Sequence, residues 1–344
     1  MGKIRLTDTD TRRLAIFIIF KQIYNEFMEE DMINKIMKFA QYFFLNLFIG
    51  IYLLSACTPT VTKTISPRKM LSAEKINQIA QDFKALTDAN REAHLAKDFS
   101  AIEALFTKDM SFDDYSFRDH LVGTNEFMDM TRNFLNYFNQ LKWKTTNYFI
   151  SSEKTITIAE FWDMNWLGNQ YNKEDPFIHV FLFEPQGNLI SSWRLFYGYD
   201  FLVENDLLSE TQADVMESLL SAYAVAWSSK DSKAVTEIYT KDALHQDTLF
   251  NESQQGNKAI RDFAESFFTW YPDAQWTPTQ MFGERFYQDK PQTIGSVYNI
   301  CTHNSIGETC EVMVVVLLRV FEGKIIQEEI YYQPDSLITC GWAQ

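Results

Sequence analysis

Apolar positions along this chain follow a helical period and then an alternating one, and the same order occurs twice. Ile76, Ile79, Ala80, Phe83 and Leu86 recur at three- and four-residue spacing, which predicts a long helix from a Ser72 cap toward Lys97. Asp98 is placed to cap a short second helix carrying Ile102, Leu105 and Phe106, which Thr107-Lys108-Asp109 ends. An extended piece over 110–115 follows, and Phe127, Met130, Phe134 and Phe138 mark a third helix after Gly123. Four strand-like runs come next, at 142–150, 155–166, 177–184 and 189–197, with a turn signal at Gln186-Gly187-Asn188. The order then restarts. Thr211 is the expected cap of a helix carrying Val215, Met216, Leu219, Leu220, Tyr223 and Trp227. A short helix (Val235, Ile238, Tyr239) and a third (Ile260, Phe263, Phe267, Tyr271) precede runs at 276–282, 293–300, 311–321 and 324–332.

The two passes are copies. AKDFSAIEALFTKDMSFDD (96–114) aligns with SKDSKAVTEIYTKDALHQD (229–247) at an offset of 133, which persists through Gly123/Gly256, Phe134/Phe267 and Trp143/Trp276. The offset drifts to 136 at Gly187/Gly323, so the gaps fall in loops. Domains are expected over 72–206 and 207–344. Three helices followed by an antiparallel meander is an α+β order, in which the helices cover one face of the sheet. Four curled strands around a long helix would make a cone with an apolar mouth.

Composition narrows the function classes. Of 344 residues 46% are hydrophobic, and the net charge of −15 carries no basic stripe, which argues against a nucleic-acid partner. The cysteines are Cys57, Cys301, Cys310 and Cys340, with no CxxC or HExxH spacing, so neither a metal site nor a cofactor is expected. Cys301 and Cys310 flank the loop THNSIGET and are candidates for a disulfide across a hairpin, with Cys340 as the competing partner.

The N-terminal stretch reads as an address. Residues 37–56 have a basic start and an apolar run, and end at Leu54-Ser55-Ala56-Cys57. This resembles a bacterial lipoprotein signal with its lipobox, which implies lipidation on Cys57 and an anchor in the cell envelope. The outer membrane facing the periplasm is the expected site, with surface display as the alternative. The competing reading is an uncleaved membrane helix, for which the run is short against the ~20 residues that span a bilayer. Residues 1–36 then read as an upstream extension, and 57–71, rich in Thr and Pro, as a tether.

Both halves resemble NTF2-like domains of the SnoaL type, the ketosteroid-isomerase-like cone. The carrying segments are IYTKDALHQD, GNKAIRDF and FEGKIIQEEIYY, the last followed by Asp335 and Leu337; the first half is the looser copy. The resemblance places Asp247 where those isomerases hold a general base and Tyr223 where they hold an oxyanion donor. It also exposes departures. A second acid of that family falls on Val316, and the first half has Asp114 at the base position but Asn90 at the tyrosine position. His245 alternates with Asp247 and joins the catalytic candidates. Asp114, His179, Trp276 and Tyr298 are candidate pocket residues. Because each site is incomplete, the leading expectation is binding of a small apolar or carboxylated molecule, or of an envelope protein partner. The alternative is an isomerase, cyclase or hydratase in the second half, with the first half as scaffold. The two halves are also candidates to pair within the chain in place of a homodimer.

Overall fold

The computed structural model describes residues 71–117, 119–137, 141–162, 176–247, 249, 252–285, 290–303 and 307–343. The upstream extension, the signal segment, Cys57 and nearly all of the tether lie outside these residues, as do 163–166 at the end of one expected strand.

The repeated Lys-Asp has a plain local cause. Helix α1 (Ala73–Ala96) starts on the Ser72 hydroxyl and stops where Lys97 turns left-handed (φ 53°); Asp98 then caps α2 (Phe99–Ala104) by accepting from the Ala101 N–H at 3.0 Å. In the second half α5 (Glu210–Ser228) runs to Ser229, Lys230 has φ 60°, and Asp231 caps α6 (Ser232–Glu237). The pair is a helix stop followed by a helix start. The start of α5 is corrected from Thr211 to Ser209, which forms a reciprocal capping box with Gln212.

Strand β1 (Phe106–Asp114) begins earlier than the pattern suggested, because Phe106 leaves the helix to pair with Ile190. It is followed by β2 (Asp119–Val122), α3 (Thr124–Tyr137), and the meander β3 (Lys142–Ile150), β4 (Thr155–Trp162), β5 (Phe177–Gln186) and β6 (Leu189–Gly198). β1 lies parallel to β6, with Phe112 opposite Trp193. A short helix α4 (Tyr199–Glu204) leads into α5. The second half repeats the series as β7 (Tyr239–Asp247), β8 (Glu252–Gln255), α7 (Gly256–Trp270), β9 (Gln275–Gly283), β10 (Gln292–His303), β11 (Thr309–Phe321), β12 (Lys324–Tyr332) and α8 (Pro334–Thr339). Here β7 lies parallel to β12 and His245 is opposite Glu328. Neither four-residue strand nor either short closing helix has a sequence period long enough to read.

The two meanders join edge to edge. β6 meets β9 at Tyr197–Gly283 and Gly198–Phe282, and β12 meets β3 at Tyr332–Ile150, so eight strands form a ring. Inside the ring the outer faces of the two sheets meet in an apolar cluster of Phe149, Ile158, Val180, Phe196, Phe282, Val315, Leu317 and others. On their other faces the sheets carry the cone cores, the first dominated by Phe and Trp, the second by Trp, Tyr and β-branched residues. Gly295 marks the tightest point between strands: a Cβ there would meet the Phe282 ring at 2.5 Å and the Leu317 side chain at 2.9 Å.

One expected pairing is corrected. Cys310 is bonded to Cys340, at the end of α8, and Cys301 is free. In the hairpin Cys301 lies opposite Glu311 and Cys310 opposite Thr302. The two cysteines are therefore one residue out of register, on opposite faces, and cannot bridge.

Candidate functional site

A cavity walled mainly by apolar side chains lies in the first cone. It encloses about 220 Å³. Alternation along β1 turns Phe112 and Asp114 inward, and alternation along β6 turns Trp193, Leu195 and Tyr197 to meet them. β5 contributes His179 and Phe181, α3 closes the top with Phe127, Met130 and Phe134, and His94 reaches in from α1. The aromatic wall packs edge-on and tilted, with Trp143 5.0 Å from Phe181 and Phe181 5.5 Å from Trp193 between ring centres.

The polar groups of this cavity are few. Asp114 Oδ2 accepts from the Tyr197 hydroxyl at 2.5 Å and Oδ1 from the Phe117 N–H at 3.3 Å. Burial pushes the Asp114 carboxyl up to about 7, against the opposing pull of those two donors. Burial pushes the other way on the imidazoles: His179 falls to about 3 and His94 to about 4, so both are neutral at neutral pH. His94 Nδ1 donates to the Asn90 carbonyl at 2.8 Å, which fixes its tautomer. The indole N–H groups of Trp143 and Trp193, both lining residues, are buried with no hydrogen-bond partner. Asn90, one turn before His94, is fully buried with neither side-chain polar atom bonded.

The second cone is filled. Tyr223 donates to Glu328 Oε1 at 2.5 Å, and Tyr239 donates to Oε2. His245 Nδ1 also lies 2.8 Å from Oε2. Burial alone would raise the Glu328 carboxyl, but the imidazole and the two phenols outweigh it and hold the group below its ordinary value. Asp247 accepts from the Tyr332 hydroxyl at 2.5 Å, as Asp114 does from Tyr197. The space beside Asp247 is about 10 Å³, because Trp342 enters it and stacks on Tyr271 with ring centres 4.0 Å apart. The Cys310–Cys340 bond holds the segment that carries Trp342.

The expected residues therefore divide between two places. Asp114 and His179 share the 220 Å³ cavity. Asp247, Tyr223 and His245 share one core, but the Tyr223 hydroxyl is turned to Glu328 and does not line the small void beside Asp247. Trp276 borders that void, and Tyr298 donates to the Leu220 carbonyl at 3.0 Å. Sequence reasoning did not single out Glu328, a buried carboxylate on the strand next to that of Val316. Its signal was its parity: Glu328, Ile330 and Tyr332 alternate on the buried face of β12. The ring register also identifies what replaced this network in the first half. Tyr223, Tyr239, His245 and Glu328 correspond to Asn90, Phe106, Phe112 and Trp193. One copy is a bonded polar core and the other an aromatic cavity. The space for a ligand lies in the half expected to be scaffold or partner surface.

Comparison with known proteins agrees with this topology. Residues 220–328 match the family model described as SnoaL-like domain. That segment is similar to SnoaL-like domains, and its fold is the NTF2-like cone. No curated protein matches the chain. Among solved structures, a hypothetical protein of ketosteroid-isomerase-like fold from Catenulispora acidiphila, in complex with trimethylamine, is 16% identical; the match covers 37% of this chain and 93% of that one, with a TM-score of 0.32. An NTF2-like protein of unknown function from Cytophaga hutchinsonii is 14% identical, with 35% and 92% covered and a TM-score of 0.28.

Proposed function

We propose that the chain is a lipid-anchored envelope protein built from two SnoaL-like domains, whose first cone binds a small, largely apolar molecule with one polar group. The observation that carries this is the aromatic cavity ending on the Asp114–Tyr197 pair. Its 220 Å³ is below the ~300–1,000 Å³ typical of drug-sized ligands, so the ligand is compact. Phenylalanine and tryptophan walls supply affinity, and the carboxyl with the two unbonded indole N–H groups orients the polar end. The filled second cone serves as its structural partner across the ring. The lipobox-like Leu54-Ser55-Ala56-Cys57 supports the anchor, and a disulfide between Cys310 and Cys340 suits an oxidising compartment.

Native mass spectrometry of protein purified from its host tests the binding reading. A small molecule should co-purify with the wild type and be lost from a Phe181→Arg variant, which fills the cavity with a charge; retention in that variant would place the ligand elsewhere. Mass spectrometry of the N-terminal peptide tests the anchor. Acyl chains are expected on Cys57, and Cys57→Ser should move the protein to the soluble fraction.

Asp114 itself favours a second reading, proton transfer within the same cavity. A carboxyl held near neutrality by burial can take a proton from carbon next to a carbonyl and return it. With the co-purified ligand in hand, deuterium exchange at such a carbon should occur with wild type and stop with Asp114→Asn, while binding persists.

A further inference from the structure

A second space, chemically unlike the first, opens where the sheets of the two halves diverge. It encloses about 780 Å³ and is lined by charged side chains of both. At its base Glu284 is 6% exposed. Its Oε1 accepts the Thr293 N–H at 2.6 Å, and its Oε2 is buried with no partner. Arg194 crosses over from β6, donating from Nη2 to Thr293 Oγ1 at 3.3 Å. Its guanidinium lies 5.4 Å from the centre of the Tyr115 ring and 5.2 Å from that of Phe196, which fixes its plane, and its Nε is buried without a partner. Arg319, on β11 directly opposite Thr293, brings a second guanidinium to the same wall. Both arginines act electrostatically on Glu284, yet among the described residues neither is ion-paired to it. Lys290 stands at the rim.

The two signs here are close together but not bonded to each other. Evolved surface clefts with adjacent opposite charges ordinarily close them into ion pairs, as Lys154 does with Glu184 at 3.1 Å and Glu329 at 3.4 Å. A simple anion in the cleft would meet the buried carboxylate of Glu284, and a simple cation would meet two guanidinium groups. A molecule carrying both charges satisfies all three. We propose that this cleft is a binding site for a small zwitterion of the amino-acid type, its carboxylate between Arg194 and Arg319 and its ammonium on Glu284 Oε2. The planar donor fork of arginine suits a carboxylate, and a buried carboxylate oxygen without a donor suits an ammonium. The site needs strands from both halves and borders the apolar cavity of the first cone, Asp119 lining both.

Isothermal titration calorimetry of the purified protein decides the matter, with each proteinogenic amino acid as probe and with acetate and methylammonium as single-charge controls. At least one amino acid should bind, and both controls should be weaker by about tenfold or more. Arg319→Gln, on an exposed strand position that leaves the core alone, and Glu284→Gln, which keeps the oxygen that accepts from Thr293, should each weaken that amino acid by about tenfold or more. Binding of no amino acid overturns the proposal. So does acetate binding as tightly as the amino acid, or an Arg319→Gln variant of unchanged affinity.

Discussion

Asp114 and Glu328 are two buried carboxyls given opposite characters by their neighbours. Glu328 has three donors and stays ionised; Asp114 has two and an aromatic wall, and its proton affinity rises to about 7. The sign of the resulting stability effect follows from proton counting. Between the ordinary value of 3.8 and about 7 the folded state holds a proton on Asp114 that the unfolded chain has released. Stability therefore falls as pH rises through that window and is flat above it. Asp114→Asn removes this slope. Measured by urea unfolding, the variant should gain on the wild type by roughly 4 kcal/mol between pH 4 and pH 8. His94 and His179 slope the other way, losing stability as pH falls below 6.5, but they are common to both proteins and cancel in the difference. Glu328→Leu strands two phenols and an imidazole in a dry core, and should cost about 3–5 kcal/mol in the same assay. Asp114 and Asp247 could be picked from the sequence by the repeat. Tyr197 and Tyr332, their hydroxyl partners, could not, because which strand end meets which is decided by a parallel pairing across some eighty residues.

At the scale of elements, the legible parts were those with a period. The long helices and the meander strands were readable from apolar spacing. The four-residue strands β2 and β8 were not, since neither carries more than one alternation. The tail after β12 was equally silent: nothing in Gly341-Trp342-Ala343 announces that the indole fills a cone. The apolar run of β11 is covered on both faces, one by the cone and one by the opposing sheet. On that face Gly295 leaves room for the side chains of its two cross-strand neighbours, Phe282 and Leu317. Gly295→Ala should force the Phe282 ring and Leu317 apart and cost about 1–3 kcal/mol, read as a lowered urea midpoint with an unchanged slope.

Taken whole, the molecule spends both broad sheet faces on itself. Helices and cone cores occupy one side of each meander and the opposing meander occupies the other. Duplication explains why the copies diverged so far in polarity. Once two cones are held together in one chain, one can be packed solid for stability while the other stays hollow. The second cone has Trp342, a disulfide and a bonded carboxylate network; among the described residues the first has none of these at the corresponding places.

The ring of eight strands is closed by very little backbone: two residue pairs at one seam and one at the other. The halves are connected only through residues 205–209, where Asp206 has a φ of 56°. The core of the second half also takes in Ile76, Ile79, Ile150, Phe177, Tyr197, Phe201 and Leu202, and a further apolar cluster lies between the sheets, so side-chain packing rather than backbone holds the halves together. Such a molecule is built to be cut and rejoined. A chain severed at the joint should reassemble from its two pieces. Two intact chains straightening the same joint would exchange halves reciprocally, remaking every contact in a swapped pair.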